Sequence, residues 1–97
     1  MRYEIEFAPQ AVQDFRDLDA HVRGGVRDPI ETHLRHEPMK TSKSRIKRLR
    51  GLSKPQYRLR VGDVRVFYDM SETTMEILAI VEKSRANEWL ERCGEKS

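Results

Sequence analysis

The stretch KRLRGLSKPQYRLRVGDVRVFYDM, residues 47–70, decides how this chain folds. Residues 56–61 alternate apolar and polar or basic side chains, and residues 64–70 keep the alternation through Phe67. Between them stands Gly62-Asp63, a two-residue turn with glycine at its first central position, as tight hairpins prefer. Pairing Val61 with Val64 sets the register. Arg60 then lies opposite Arg65, Leu59 opposite Val66, Arg58 opposite Phe67 and Tyr57 opposite Tyr68. Strand side chains alternate faces, so Tyr57, Leu59, Val61, Val64, Val66 and Tyr68 share one face. Arg58, Arg60, Arg65 and Phe67 share the other. Like charges directly opposite destabilise a sheet, so an Arg60–Arg65 pair with no acid beside it points to an anionic ligand.

Charge is distributed to the same effect. From Lys40 to Arg65 there are ten basic residues and one acid, Asp63, a net +9 that leaves −6 for the rest of a +3 chain. A basic block on an otherwise acidic protein is the footprint of a nucleic-acid or acidic protein partner. The 97 residues suit a single domain over 1–97, and 37% apolar with 36% charged residues suits a solvated globular protein. No apolar run approaches the roughly 20 residues that a bilayer crossing needs. No signal-peptide pattern opens the chain, and the lone Cys93 cannot form an internal disulfide, so a reducing cytoplasm is expected. His21, His33 and His36 lack ligand spacing, so they read as surface or boundary residues and no metal or cofactor is expected.

Working outward from the hairpin, residues 2–7 (RYEIEF) alternate as a short strand. Pro9 opens a helix with an apolar stripe of Ala11, Phe15 and Leu18. Asp19 can cap a second helix whose stripe is Val22, Val26, Ile30 and Leu34, with a kink expected at Gly24-Gly25 and Pro29. Glu37-Pro38 ends it, and residues 39–54 read as a basic loop. Residues 75–81 (MEILAIV) read as a strand covered on both faces. Residues 83–92 have helical composition, anchored by Trp89 and Leu90, and residues 94–97 are expected to be mobile. The predicted class is α+β: a four-stranded, mostly antiparallel sheet packed on an N-terminal helical hairpin, plus a C-terminal helix.

FAPQAVQDFRDL near the start, KRLRGL before the hairpin, YRLRVGDVRVFYDM within it and ILAIVEKSRANEWL at the end resemble the RelE/ParE superfamily of bacterial toxins. The resemblance covers nearly the whole chain. It implies a toxin of a type II toxin-antitoxin system with a cognate antitoxin protein that wraps it. For the RelE branch it implies metal-independent, ribosome-dependent cleavage of mRNA by an endoribonuclease of the microbial RNase type. For the ParE branch it implies inhibition of DNA gyrase by protein contact, without nuclease chemistry.

Carried over position by position, the RelE-type basic residues fall on Arg58, Arg60 and Arg65, with a further one at Lys83 or Arg85. An aromatic position falls on Trp89. The resemblance thus implies a catalytic group of Arg60, Arg65, Lys83 and Arg85. Lys47, Arg48, Arg50, Arg58, Phe67 and Trp89 are expected to contact RNA. Arginines replace RelE's first-strand lysines here, and tryptophan replaces the tyrosine of many RelE-type enzymes. These departures bear on proton transfer rather than on phosphate binding, because guanidiniums donate well to phosphate and are poor bases.

Overall fold

A computed structural model describes residues 2–96. The elements run β1 (Glu4–Phe7), α1 (Pro9–Asp17), α2 (Ala20–Pro29), β2 (Ile46–Arg48), β3 (Leu52–Lys54), β4 (Tyr57–Val61), β5 (Val64–Met70), β6 (Thr74–Glu82), α3 (Ala86–Cys93) and β7 (Glu95–Lys96). The main sheet is five-stranded in the order β1-β6-β5-β4-β2, with β1 parallel to β6 and the other pairs antiparallel.

The fifth strand corrects the four-stranded expectation. In sequence, residues 46–48 read as loop because only Ile46 is apolar in that segment. Pairing supplies what pattern lacks: Ile46 lies opposite Leu59, is 3% exposed and joins the core. A second correction concerns the C-terminal segment. Gly94 closes α3 against Leu90, and Glu95–Lys96 then pairs with β3 as a separate two-stranded ribbon. Ser97 lies outside the described residues.

The hairpin follows the sequence register at all five positions, with Arg60 opposite Arg65 and Tyr57 opposite Tyr68. Gly62 takes φ +56°, a left-handed conformation that only glycine adopts freely, so the two-residue turn rests on it. Leu59, Val66 and Tyr68 are fully buried on one face against Ala11 of α1, Val26 of α2 and Ile30 and Leu34 beyond it. That second helix changes character after Pro29: residues Ile30–Leu34 form a π-helical turn, the local break expected where proline cannot donate to the preceding turn. The Tyr68 hydroxyl donates to the Pro38 carbonyl at 2.6 Å and ties the segment after the helices to the sheet.

β6 is an interior strand between β1 and β5, and one irregularity explains why its apolar run lacks alternation. Phe67 faces Ala79 while Tyr68 faces Ile77, so Leu78 is an extra residue in the strand. The bulge returns Ile80 to the helix-covered core and leaves Ala79 on the opposite face. β1 accompanies β6 only as far as Ile77, and the N–H of Ile80 donates instead to the Asp14 carboxylate of α1 at 3.0 Å. That bond satisfies a strand edge that would otherwise be orphaned.

Candidate nucleic-acid interface

The hairpin lays its basic residues on the sheet face away from the helices. Arg60 sits opposite Arg65, and Arg58 opposite Phe67. β2 adds Lys47 directly across from Arg58. Two adjacent rows result: Arg60 with Arg65, and Lys47 with Arg58 and Phe67. Among the described residues the ion pairs are Glu31–Arg35, Glu37–Lys40 and Glu88–Arg92, so none of these four cations has a carboxylate partner.

Burial distinguishes the four. Arg60 and Lys47 are exposed. Arg65, expected as an open-face guanidinium, is only 6% exposed. Its Nη1 turns back to donate to the carbonyls of Gly62 at 2.8 Å and Val64 at 3.0 Å. The tight turn leaves those carbonyls, three residues and one residue back, in reach of a long, forked side chain, and the guanidinium closes the hairpin. Arg58 is half-buried, and its Nε is enclosed without a hydrogen-bond partner. Burial is the main force lowering the proton affinity of Arg58, with Arg65 and Arg60 adding to it. Arg65 is lowered by burial and then by Arg60, while Asp63 acts the other way. Guanidiniums stay protonated through such shifts. The face therefore holds desolvated, mutually repelling cations whose energy an anion would lower.

The other sequence-predicted residues divide. Phe67 is fully buried beneath α3, its ring stacked on Trp89 with centroids 4.9 Å apart and planes 7° from parallel. It covers the C-terminal helix and is closed to a nucleobase; Trp89 is half-buried above it. Arg48 faces the other way from its neighbour Lys47, as strand alternation requires. Its guanidinium lies 5.2 Å over the Tyr57 ring and donates to the Gln56 carbonyl. That removes Arg48 from the basic rows. Arg50 is exposed in the bend before β3. Lys83 is exposed, and its backbone N–H donates to the Asp63 carbonyl at 2.7 Å. Lys83 lines a cleft with Asp17, Asp19 and Asp63; Arg85 lines another with Asp14, Glu88 and Trp89. Neither cleft includes Arg58, Arg60 or Arg65 in its walls.

One feature of the face escaped sequence reading. Beyond the Lys47–Arg58 row, Asp69 of β5 faces Glu76 of β6. Burial raises the proton affinity of Asp69, and the nearby charges of Glu76 and Glu95 raise it further. The basic rows thus end at an acidic border. Only the pairing of β6 with β5, and of β7 with β3, brings these acids together.

A sheet of this order, with a helical hairpin on one face and unpaired cations on the other, defines a RelE-like toxin fold. Residues 5–87 match the family model of the ParE toxin of type II toxin-antitoxin systems, parDE, and the chain belongs to this toxin family of the RelE/ParE superfamily. Similar solved structures include the RelBE2 toxin-antitoxin complex of Mycobacterium tuberculosis, at 24% identity and TM-score 0.69, covering 84% of this chain and 92% of that one. The archaeal RelE-RelB complex from Pyrococcus horikoshii is similar at 26% identity and TM-score 0.65, covering 88% and 99%. The isolated RelE toxin of E. coli aligns at 18% identity and TM-score 0.66, over 93% and 97%. No curated protein matches the chain. No helix among the described residues is long and apolar enough to cross a membrane.

Proposed function

We propose that this toxin is a ribosome-dependent endoribonuclease that cleaves mRNA and so arrests translation in the cytoplasm. The observation that carries the reading is the carboxylate-free cationic face of Lys47, Arg58, Arg60 and Arg65. In ribose-directed cleavage the 2′-hydroxyl attacks the adjacent phosphorus and the 5′-oxygen leaves. Charge accumulates on the non-bridging oxygens of the phosphorane between those steps. Arg60, the exposed member of its row, and the free donors of Arg65 would hold those oxygens, because a guanidinium fork matches phosphate geometry. A fixed donor of that kind is worth about 10²–10³ in rate. Lys83 and Arg85 would serve from the flanking clefts they line.

The second reading is a non-catalytic gyrase inhibitor. The match of residues 5–87 to the ParE toxin model favours it, as does a basic face made chiefly of arginines, which are poor proton acceptors. In either reading the partner that restrains the toxin is a cognate antitoxin, as the complexes named above have for their own toxins. Inducing the toxin and mapping messenger 5′ ends alongside plasmid supercoiling separates the two. New 5′ ends with normal supercoiling support the nuclease. Intact messengers with relaxed plasmids would overturn it and leave gyrase as the target.

A further inference from the structure

We infer that α3 is a strap across the open face, fastened at its far end by the β3–β7 ribbon, and that the toxin acts only once this catch lets go. The inference concerns control rather than target, and it holds under either reading above.

The strap is held at its start, middle and end. Before α3, the Lys83 N–H donates to the Asp63 carbonyl at 2.7 Å, beside the hairpin turn. In the middle, Trp89 stacks on Phe67 with centroids 4.9 Å apart. Beyond the end, β7 pairs with β3, with Glu95 opposite Lys54 and Lys96 opposite Leu52. The Ser53 hydroxyl donates to the Glu95 carbonyl at 3.2 Å, and Glu95 lies near Asp69, at the far end of β5. α3 therefore follows β5 from the turn to its other end.

Between those holds little binds it. None of the eight residues of α3 is buried, and none joins the hydrophobic core. A helix of that length is short of the roughly 12–15 residues at which an isolated helix is even marginal. Its Glu88–Arg92 pair is exposed, a contact that contributes little. A segment with so few buried apolar contacts opens locally, ahead of the sheet beneath it. What it covers is the opposite case. Phe67 is fully buried although it stands on the open face, directly across from Arg58 and in line with Lys47. Opening the strap adds an aromatic ring to that cationic row.

The catch is built for a close approach. A Cβ at Gly94 would stand 2.5 Å from the Leu90 carbonyl oxygen and 3.3 Å from Cδ2 of Leu52. Glycine is what lets the end of α3 turn onto β3 there. Once β7 leaves β3, the Trp89–Phe67 stack is the main hold left on the helix.

The test compares the strap locked and loosened in the full chain. Lys54→Cys with Glu95→Cys places a disulfide across the ribbon, and Cys93→Ser removes the exposed native thiol. Gly94→Ala loosens the catch. Hydrogen exchange of residues 86–93 is followed beside that of β5, together with acrylamide quenching of Trp89, the single tryptophan. In wild type, α3 should exchange at least about tenfold faster than β5. Oxidising the cysteine pair should slow that exchange and shield the indole, and Gly94→Ala should do the reverse. Activity is read on purified ribosomes programmed with a messenger and on purified gyrase, in buffer free of reductant. The oxidised protein should be inert where wild type acts, and reductant should restore it. The Lys54→Cys, Cys93→Ser protein should be indifferent to oxidation. α3 amides that exchange in step with β5, or an oxidised protein as active as the reduced one, would overturn the strap. The nuclease reading fails separately, since an intact messenger beside inhibited gyrase removes it and leaves the strap to be judged on gyrase.

Discussion

Arg60 and Arg65 face each other across the β4–β5 hairpin, and the hairpin carries this like-charge pair with no acid to relieve it. Arg60 is exposed while Arg65 is buried against the turn, so the two contribute differently to stability and to ligand binding. Replacing the exposed partner by an acid turns repulsion into a cross-strand ion pair, an effect of about 0.2–1 kcal/mol. Arg60→Glu should raise the melting temperature and weaken RNA binding at once. A melting temperature that falls, with RNA binding retained, would mean that the pair is not a compromise between stability and function.

Arg65 carries two duties. Removing its side chain leaves the carbonyls of Gly62 and Val64 without a donor they now share. Lost hydrogen bonds to a charged group cost roughly 1.5–3 kcal/mol. Arg65→Ala should therefore lose growth arrest and also unfold at lower urea. Arg65→Lys should be partly active, because one ammonium cannot serve both turn carbonyls and a phosphate. Urea melts beside growth curves check both. Full stability of Arg65→Ala would show that the turn bonds are dispensable.

The Trp89–Phe67 stack is a packing contact in the present geometry. Trp89→Phe should keep nearly full activity, since a second aromatic ring preserves the stack. Trp89→Ala should lose the pair energy of about 0.5–1.5 kcal/mol together with its buried area. Hydrogen exchange of α3 amides reports the loosening. Inactivity of Trp89→Phe with an unaltered melting temperature would assign the indole a direct role on RNA.

Asp69 gives a pH dependence whose sign is set. Its carboxylate accepts from the Gln56 N–H at 2.7 Å, while burial raises its proton affinity above the ordinary 3.8. A raised pKa in the folded state means that ionisation costs stability. The cost is absent below the unfolded value and appears as pH rises through the folded one. Asp69→Asn keeps an acceptor oxygen and removes the charge. It should be more stable than wild type at pH 7, with the advantage vanishing toward pH 3. An advantage that grew on acidification would reverse the assignment. Thermal melts across that range decide it.

Local pattern carried the hairpin entirely. A glycine where φ must be positive, and two alternating segments on either side, leave one register that buries Leu59, Val66 and Tyr68 together. The two-helix cover and the break after Pro29 were legible for the same reason, since helical spacing and proline act within a few residues. Family membership was legible too, because its motifs lie in these locally determined segments.

What only tertiary structure decided depends on groups far apart in the chain. Residues 46–48 have too little apolar pattern to declare a strand, and become one because β4 offers an unpaired edge. That pairing alone separates Lys47, which joins Arg58, from Arg48, which turns to Tyr57. Alternation placed Arg65 on the open face but says nothing of depth; the folded hairpin leaves it 6% exposed, turned back onto the turn carbonyls. The acidic border of Asp69, Glu76 and Glu95 draws on three strands, one of them at the end of the chain. Side-chain direction follows from a residue's immediate neighbours, whereas burial and charge balance are sums over everything the fold brings near.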